Sequence, residues 1–292
     1  MESQGQPTSG LLYLVATPIG NLGDLGYRAV EILKSVDVIV CEDTRHSRPL
    51  LDHYGIDRPL AALHEHNEDR ISAGLVERMR SGEQVALISD AGSPLISDPG
   101  FPLVRQAREA GVRVSPIPGP CALIAALSVS GLASHRFAFE GFPPRKRQAR
   151  RSWMESLRDE ARTLIFYESS HRIEETIQDV AAMFPASRRL VIARELTKRF
   201  ETVVSTTVGA AVSLLTGHPE MRLGEFVVLI EGVEEKAGAE QLTPAQLHTL
   251  RVLLEENSVK KAVELTTKIS GARRELVYRE ALRWSETKSD SD

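Results

Sequence analysis

Short runs rich in Val, Ile and Leu recur at residues 11–16, 36–41, 85–89 and 112–117. Uninterrupted apolar runs of this length, bounded by turn residues, fit strands covered on both faces of a largely parallel sheet. Between them, residues 24–35, 71–81 and 99–110 carry apolar side chains three and four apart, as crossover helices do. Asp24, Asp69 and Asp98 stand near the starts of these stretches, where carboxylates suit helix N-termini. The alternation predicts an α/β domain over residues 1–118.

A hinge, PIPGP at residues 116–120, then opens a helix expected at 121–131. Beyond it the rhythm changes. Strands are expected at 137–140, 163–168, 190–195, 201–207 and 225–231, with helices chiefly at 146–160 and 173–184. Short links between strands imply antiparallel pairing, so residues 119–235 read as a second α+β domain. A polar linker, GVEEKAGAEQ, occupies residues 232–241. Thr243-Pro244 is a helix start signal, with Thr as cap and Pro at the first helical position. Helices at 244–256, 259–269 and 272–284 would make a small C-terminal module over residues 241–286. The closing SETKSDSD reads as disordered by composition.

The chain has 292 residues, 42% hydrophobic and 26% charged, which excludes global disorder. Its net charge of −4 shows no overall basic excess, so any nucleic-acid site must be local. Residues 241–284 hold eight Lys and Arg against five Glu and are one such locality. Cys41 and Cys121 sit in apolar runs and form neither a disulfide framework nor a zinc site, which fits a reducing cytosol. The polar N-terminus lacks a signal-peptide pattern, and no apolar run approaches the roughly 20 residues of a membrane span. A cytoplasmic location with no membrane attachment is expected.

Several segments could carry chemistry. TPIGNLGD, residues 17–24, is a breaker-rich turn after the first strand, where Gly20 and Gly23 let backbone approach a ligand. It matches neither a dinucleotide fingerprint nor a P-loop. SDAGSPLISDPG, residues 89–100, is a long polar loop at the carboxyl end of the strand VALIS, the edge where open α/β sheets bind ligands. CEDTRHSR, residues 41–48, clusters charge after the second strand, and Arg45 and Arg48 there could hold phosphate. HEHN at 64–67 lacks a matched ligand set, so no metal is expected. Ser169, His171 and Glu195 suggest a hydrolase only loosely, since no GxSxG elbow is present. Arg145, Lys146, Arg147, Arg150 and Arg151 form a basic run with no acid among them, a phosphate-binding candidate.

Taken in order, LYLVATPIGNLGD, CEDTRHSRPLL, HEHNE, ALISDAGSPLISDPG, PIPGPCALIAALSVSGL, FYESSHR, ARELTK and GEFVVLIEG resemble the tetrapyrrole-methylase-like family, in its small-subunit ribosomal RNA methyltransferase branch. ISGARRELVYREAL resembles that branch's C-terminal helical module. The resemblance implies two α/β domains of the class III methyltransferase type, bracketing S-adenosyl-L-methionine in the cleft between them. It implies methyl transfer to a ribose 2′-hydroxyl of a cytidine in 16S ribosomal RNA of the small subunit, by a homodimer. The implied cofactor contacts are Pro18 and Gly20 in the first turn, and Asp90, Ala91, Gly92, Ser93 and Ile96 in the long loop. Tyr167, Leu196, Glu225 and Phe226 are implied from the second domain. Glu168, Glu195 or Lys198 could take the hydroxyl proton or orient the hydroxyl, and the sequence does not choose among them. Arg45, Arg48, Arg194, Lys260 and Arg273 join the basic run as candidate RNA contacts. Methylation of a tetrapyrrole-like small molecule, or a non-catalytic role in ribosome assembly, are the alternatives.

Overall fold

The structure, a computed structural model, describes residues 10–64, 67–233 and 242–289. The chain divides into two compact units, Met1–Val233 and Glu234–Asp292. The first begins with β1 (Leu11–Val15), α1 (Tyr27–Ser35), β2 (Val38–Cys41), α2 (Thr44–His53), β3 (Leu60–Ala62), α3 (Glu68–Arg80), β4 (Gln84–Ile88), α4 (Phe101–Glu109) and β5 (Arg113–Ile117). These strands form one parallel sheet in the order β3-β2-β4-β1-β5. Successive side chains point to opposite faces. Leu12, Val40, Val85 and Leu87 therefore pack with α3 and α4, while Val15, Ile39, Ala86 and Ile88 pack with α1 and α2.

CEDTRHSR, the charge cluster after the second strand, runs into the helix α2. Asp43 caps it, accepting the Arg45 amide at 2.8 Å, and Pro49 lies within it. Only Ser47 and Leu51 are buried, so the helix carries almost no apolar stripe to mark it. β3 is hidden from the sequence for a similar reason, being three residues, none of them buried. Asp24 does not cap α1, whose N-cap is Gly26. Instead Asn21 accepts the Gly23 amide and caps a 3-10 turn, Leu22–Asp24. Asp98 precedes the α4 cap, Gly100, by two residues and bonds Ser89 rather than the helix.

The same unit continues with α5 (Ala122–Ser130), β6 (Phe137–Phe139), α6 (Arg147–Ser156), β7 (Thr163–Ser169), α7 (Ile173–Met183), β8 (Arg189–Arg194), β9 (Thr202–Thr207), α8 (Val208–Gly217) and β10 (Glu225–Ile230). Its sheet runs β6-β7-β10-β8-β9; β6 is parallel to β7 and the remaining pairs are antiparallel. Phe166, Ile192 and Val228 face α7 and α8, while Ile165, Val191, Val227 and Leu229 face α5. The unexpected α8 is apolar almost all round, VGAAVSLLTG, and so lacks the polar face that separates a helix from a continued strand.

In the second unit, α9 (Pro244–Glu256), α10 (Val259–Ser270) and α11 (Arg274–Ser289) pack around Leu250, Val263, Val277 and Ala281. Thr243 and Gln246 form a reciprocal capping box with Pro244 at the first turn. α11 runs on to Ser289, into the tail expected to be disordered. Residues 234–241 of the linker lie outside the described residues. Among the described residues no helix is long and apolar enough to cross a membrane.

Candidate active site

The loops that follow β1 and β4 are stitched together. Thr17 and Gly92 exchange backbone hydrogen bonds of 2.8 and 3.1 Å, and Thr17 Oγ1 donates to the Ser89 carbonyl at 3.0 Å. Ser89 Oγ donates to Asp98 Oδ2 at 2.9 Å and accepts the Ala91 amide, which curls the long loop back on itself. Leu95 and Ser97 in that loop, and Glu195 and Thr197 after β8, have positive φ. They are the only non-glycine residues to do so among the described residues. Each such conformation costs about 1–3 kcal/mol and persists only where its surroundings enforce it. All four lie in the two segments that border one cavity.

That cavity has a volume of about 400 Å³, within the range of small-molecule sites. From the first sheet's loops, Ile19, Ala91, Gly92, Ser93 and Ile96 line it. From the second sheet come Tyr167, Leu196, Glu225 and Phe226. All of these except Ile19 are expected residues, and the fold brings them together. Pro18, Gly20 and Asp90 are not among the lining, and Ile19 stands there in place of its two neighbours. Gly20, at φ +151°, lies beneath the Lys198 stem, and a Cβ there would fall 2.4 Å from Lys198 Cγ. Asp90 turns towards His46 instead. Sequence reasoning missed Asp98, Cys121, Phe142 and Ala193 in the wall. Asp98 lies in the long loop already singled out, and Phe142 is an aromatic beside two prolines and a basic run; Cys121 and Ala193 carried no readable signal.

The electrostatics separate the candidate proton acceptors. Glu168 belongs to the cavity wall by its place on β7, but its side chain is enclosed and leaves the strand opposite to Tyr167. Its carboxylate accepts from Thr176 Oγ1 at 2.6 Å and from the Ser169 amide, and it lies 3.4 Å from Arg172. Glu168 is therefore a structural group, tied to α7. Lys198 Nζ bonds Glu195 Oε1 at 3.1 Å and Glu225 Oε2 at 2.8 Å. Burial pulls the Lys198 ammonium down, but these two carboxylates override it and raise its pKa, so Lys198 is a cation and no base. Burial likewise works against the Glu195 carboxylate, yet the Glu225 amide and Lys198 hold its pKa below the usual value. Burial raises the Asp98 carboxyl against its Ser89 hydrogen bond, and it raises the Tyr167 phenol, whose oxygen accepts the Leu123 amide.

The basic candidates divide as well. Arg150 is 1% exposed and pairs with the enclosed Asp179 at 2.7 Å, while Arg147 and Arg151 reach the same carboxylate at 3.1 and 2.8 Å. Arg150 therefore fastens α6 to α7 and cannot meet a phosphate, whereas Arg145 and Lys146 are exposed. Arg194 is also buried and donates to the carbonyls of Leu223 and Phe200. Both assignments to RNA are corrected, because a buried guanidinium needs its acceptors inside the protein. Arg45 is exposed but chelated by Asp43, whose carboxyl it holds down to about 2, and Arg48 stands 4.0 Å from Asp52. Lys260 and Arg273 are exposed in the second unit, Arg273 lying 3.8 Å from Glu275. The segment HEHN falls partly outside the described residues.

Comparison with known proteins decides the family. The model of the tetrapyrrole (corrin/porphyrin) methylases matches residues 11–212, and that of the RsmI C-terminal HTH domain matches residues 240–285. The chain belongs to the tetrapyrrole methylase family. It is 52% identical to the ribosomal RNA small subunit methyltransferase I of Xylella fastidiosa, over 93% of this chain and 98% of that one. It is 49% identical to the protein of the same name from Pseudomonas aeruginosa, over 94% and 98%. As a tetrapyrrole methylase family member it is a methyltransferase, and the family's methyltransferases use S-adenosyl-L-methionine in general. Among solved structures, a cobalt precorrin-4 methyltransferase aligns with a TM-score of 0.57 at 15% identity, covering 79% of this chain and 98% of that one. Diphthine synthase aligns at 0.55 and 18%, covering 76% and 90%. These solved structures share the fold of this chain.

Proposed function

We propose that the chain transfers a methyl group from S-adenosyl-L-methionine to a ribose 2′-hydroxyl of a cytidine in 16S ribosomal RNA of the small subunit. The observation that carries this reading is the cavity between the two sheets, in a chain about half identical to ribosomal RNA small subunit methyltransferase I along most of its length. The cavity suits the cofactor. Gly92, at φ +86°, bares its backbone where a Cβ would meet Ile19 Cγ2 at 3.3 Å. Ile19, Leu196 and Tyr167 offer apolar walls for a nucleoside, and Asp98 and Glu225 offer carboxylates to hydroxyls or to a cation.

When bound, the cofactor supplies a sulfonium-activated methyl, so the protein's task is alignment and removal of one proton. Ala91, Gly92 and Ser93 would hold the nucleoside against Leu196 and Tyr167. Phe142 is 53% exposed at the wall and would stack on an unpaired base, as aromatic side chains do in single-stranded RNA recognition. Arg145 and Lys146, three and four residues further on, would meet the adjoining phosphates. The helix-turn-helix match and the exposed Lys260, Lys261, Arg273 and Arg274 support an RNA substrate over a tetrapyrrole-like one, which needs neither feature. A ribosomal substrate entails a cytoplasmic location. The family resemblance further implies a homodimer, which light scattering on the purified chain checks.

The test is transfer of labelled methyl from S-adenosyl-L-methionine to isolated small subunits, alongside a porphyrinoid acceptor. Label in the subunit RNA alone is expected. Label only in the porphyrinoid, or cofactor binding without transfer to either, would reject the reading.

A further inference from the structure

With Glu168 enclosed, Lys198 charged and Glu195 engaged by Lys198 and the Glu225 amide, these three groups leave the hydroxyl proton without an acceptor. We propose that His46 takes this proton and that Asp90 orients it; the proposal rests on the methyl-transfer reading above. β2 and β4 are neighbouring parallel strands, with Val40 opposite Leu87, so their carboxyl-end loops emerge side by side. Asp43 caps α2 and sets His46 in its first turn, while Asp90 follows β4 by two residues. His46 Nδ1 lies 3.9 Å from Asp90 Oδ2, the imidazole 67% and the carboxylate 27% exposed. Asp90 Oδ1 is buried with no hydrogen-bond partner among the described residues. A carboxylate this near Nδ1 would, on closing to hydrogen-bond distance, select the tautomer that leaves Nε2 to accept a proton. The next residue, Ala91, lines the cavity, so the carboxylate of the pair stands one residue from the wall.

The other groups around the imidazole do not compete for the role. Asp43 and Arg45 are paired with each other, and Arg48 is turned towards Asp52. Burial pushes the Cys41 thiol up, so it remains protonated, and Asp98 is bonded to Ser89. Glu42 is exposed beside the end of β2. In the step, ribose O2′ bonds to the methyl carbon and the methyl–sulfur bond breaks with its electron pair retained on sulfur. The O2′ proton passes to His46 Nε2 and then to solvent.

The experiment compares the full-length wild type, His46→Gln and Asp90→Asn in single-turnover methylation of isolated small subunits across pH. Cofactor affinity is measured separately by calorimetry. His46→Gln is expected to lose about 100-fold in rate, together with the acid limb of the profile, at unchanged cofactor and subunit affinity. Asp90→Asn is expected to lose less rate and to keep the acid limb. An unchanged rate and profile in His46→Gln would overturn the assignment. So would a loss confined to subunit affinity, which makes His46 an RNA grip, or a loss of cofactor affinity in Asp90→Asn, which makes Asp90 a cofactor ligand. If the wild type neither binds the cofactor nor methylates subunits, the functional reading itself fails, a result distinct from failure of the variant alone.

Discussion

Gly92 and Lys198 show how single residues shape the cavity. A valine at position 92 would force a β-branched residue into a left-handed conformation and press its side chain on Ile19. Gly92→Val is therefore expected to remain folded but lose at least about tenfold in cofactor affinity, measured by calorimetry. Wild-type affinity in a folded variant would remove the loop from the binding site. For Lys198, the bridge to Glu195 and Glu225 predicts a positioning role. Lys198→Met keeps the stem over Gly20 but strips two carboxylates of their cation, and about 1–3 kcal/mol of stability should go with it. Its methylation rate, at a temperature where it is folded, should fall by less than tenfold; a drop of about 100-fold or more would restore Lys198 as a proton acceptor. The Gly and Pro content of the loop after β4 marked that loop as a site, and the family resemblance named Ala91, Gly92, Ser93 and Ile96 within it. Sequence could not separate Glu168 from Glu195, because both end a strand, and only the pleat decides that Glu168 faces α7.

At the scale of elements, the seam between α6 and α7 is an ionic one. Asp179 is enclosed and receives Arg147, Arg150 and Arg151. Burial raises its carboxyl, but the three guanidiniums outweigh this and its pKa is lowered. Its contribution is therefore complete above the ordinary carboxylate value of about 3.9 and is lost as pH falls through the lower folded value. Asp179→Ala should destabilise the protein by about 3–5 kcal/mol in chemical denaturation, because Arg150 would be left buried without its partner. A cost below about 1 kcal/mol would mean that the seam is held by its apolar neighbours. The same seam divides the basic run. Replacing Arg145 and Lys146 with Gln should lower the salt slope of subunit binding by about 0.7–0.9 for every phosphate that they neutralise, with stability intact. An unchanged slope would make them a solvated face. The helices α9 and α10 are legible because Thr243-Pro244 and the apolar spacing announce them, whereas α2 is specified by a cap, Asp43, and by two buried residues. A run of like charges in sequence conceals an acid that arrives from 28 residues away.

For the whole molecule, the parallel sheet followed by a mainly antiparallel one is readable from the change in strand spacing near residue 118. Both sheets nevertheless belong to one compact unit, since each contributes a wall of the cavity. The unit Glu234–Asp292 has its own small core, around Leu250 and Val263. Removing residues 234–292 should leave a folded protein with wild-type cofactor affinity and a raised KM for the small subunit. Unchanged kinetics would show that the helical unit takes no part in substrate binding. On the reading proposed above, this family member methylates a cytidine ribose in small-subunit RNA. Mass spectrometry of nucleosides from small subunits, incubated with the purified chain and methyl-labelled S-adenosyl-L-methionine, tests it most directly. The label is expected in 2′-O-methylcytidine from 16S RNA; label in a base-methylated nucleoside, or none in the RNA, would rule that reading out.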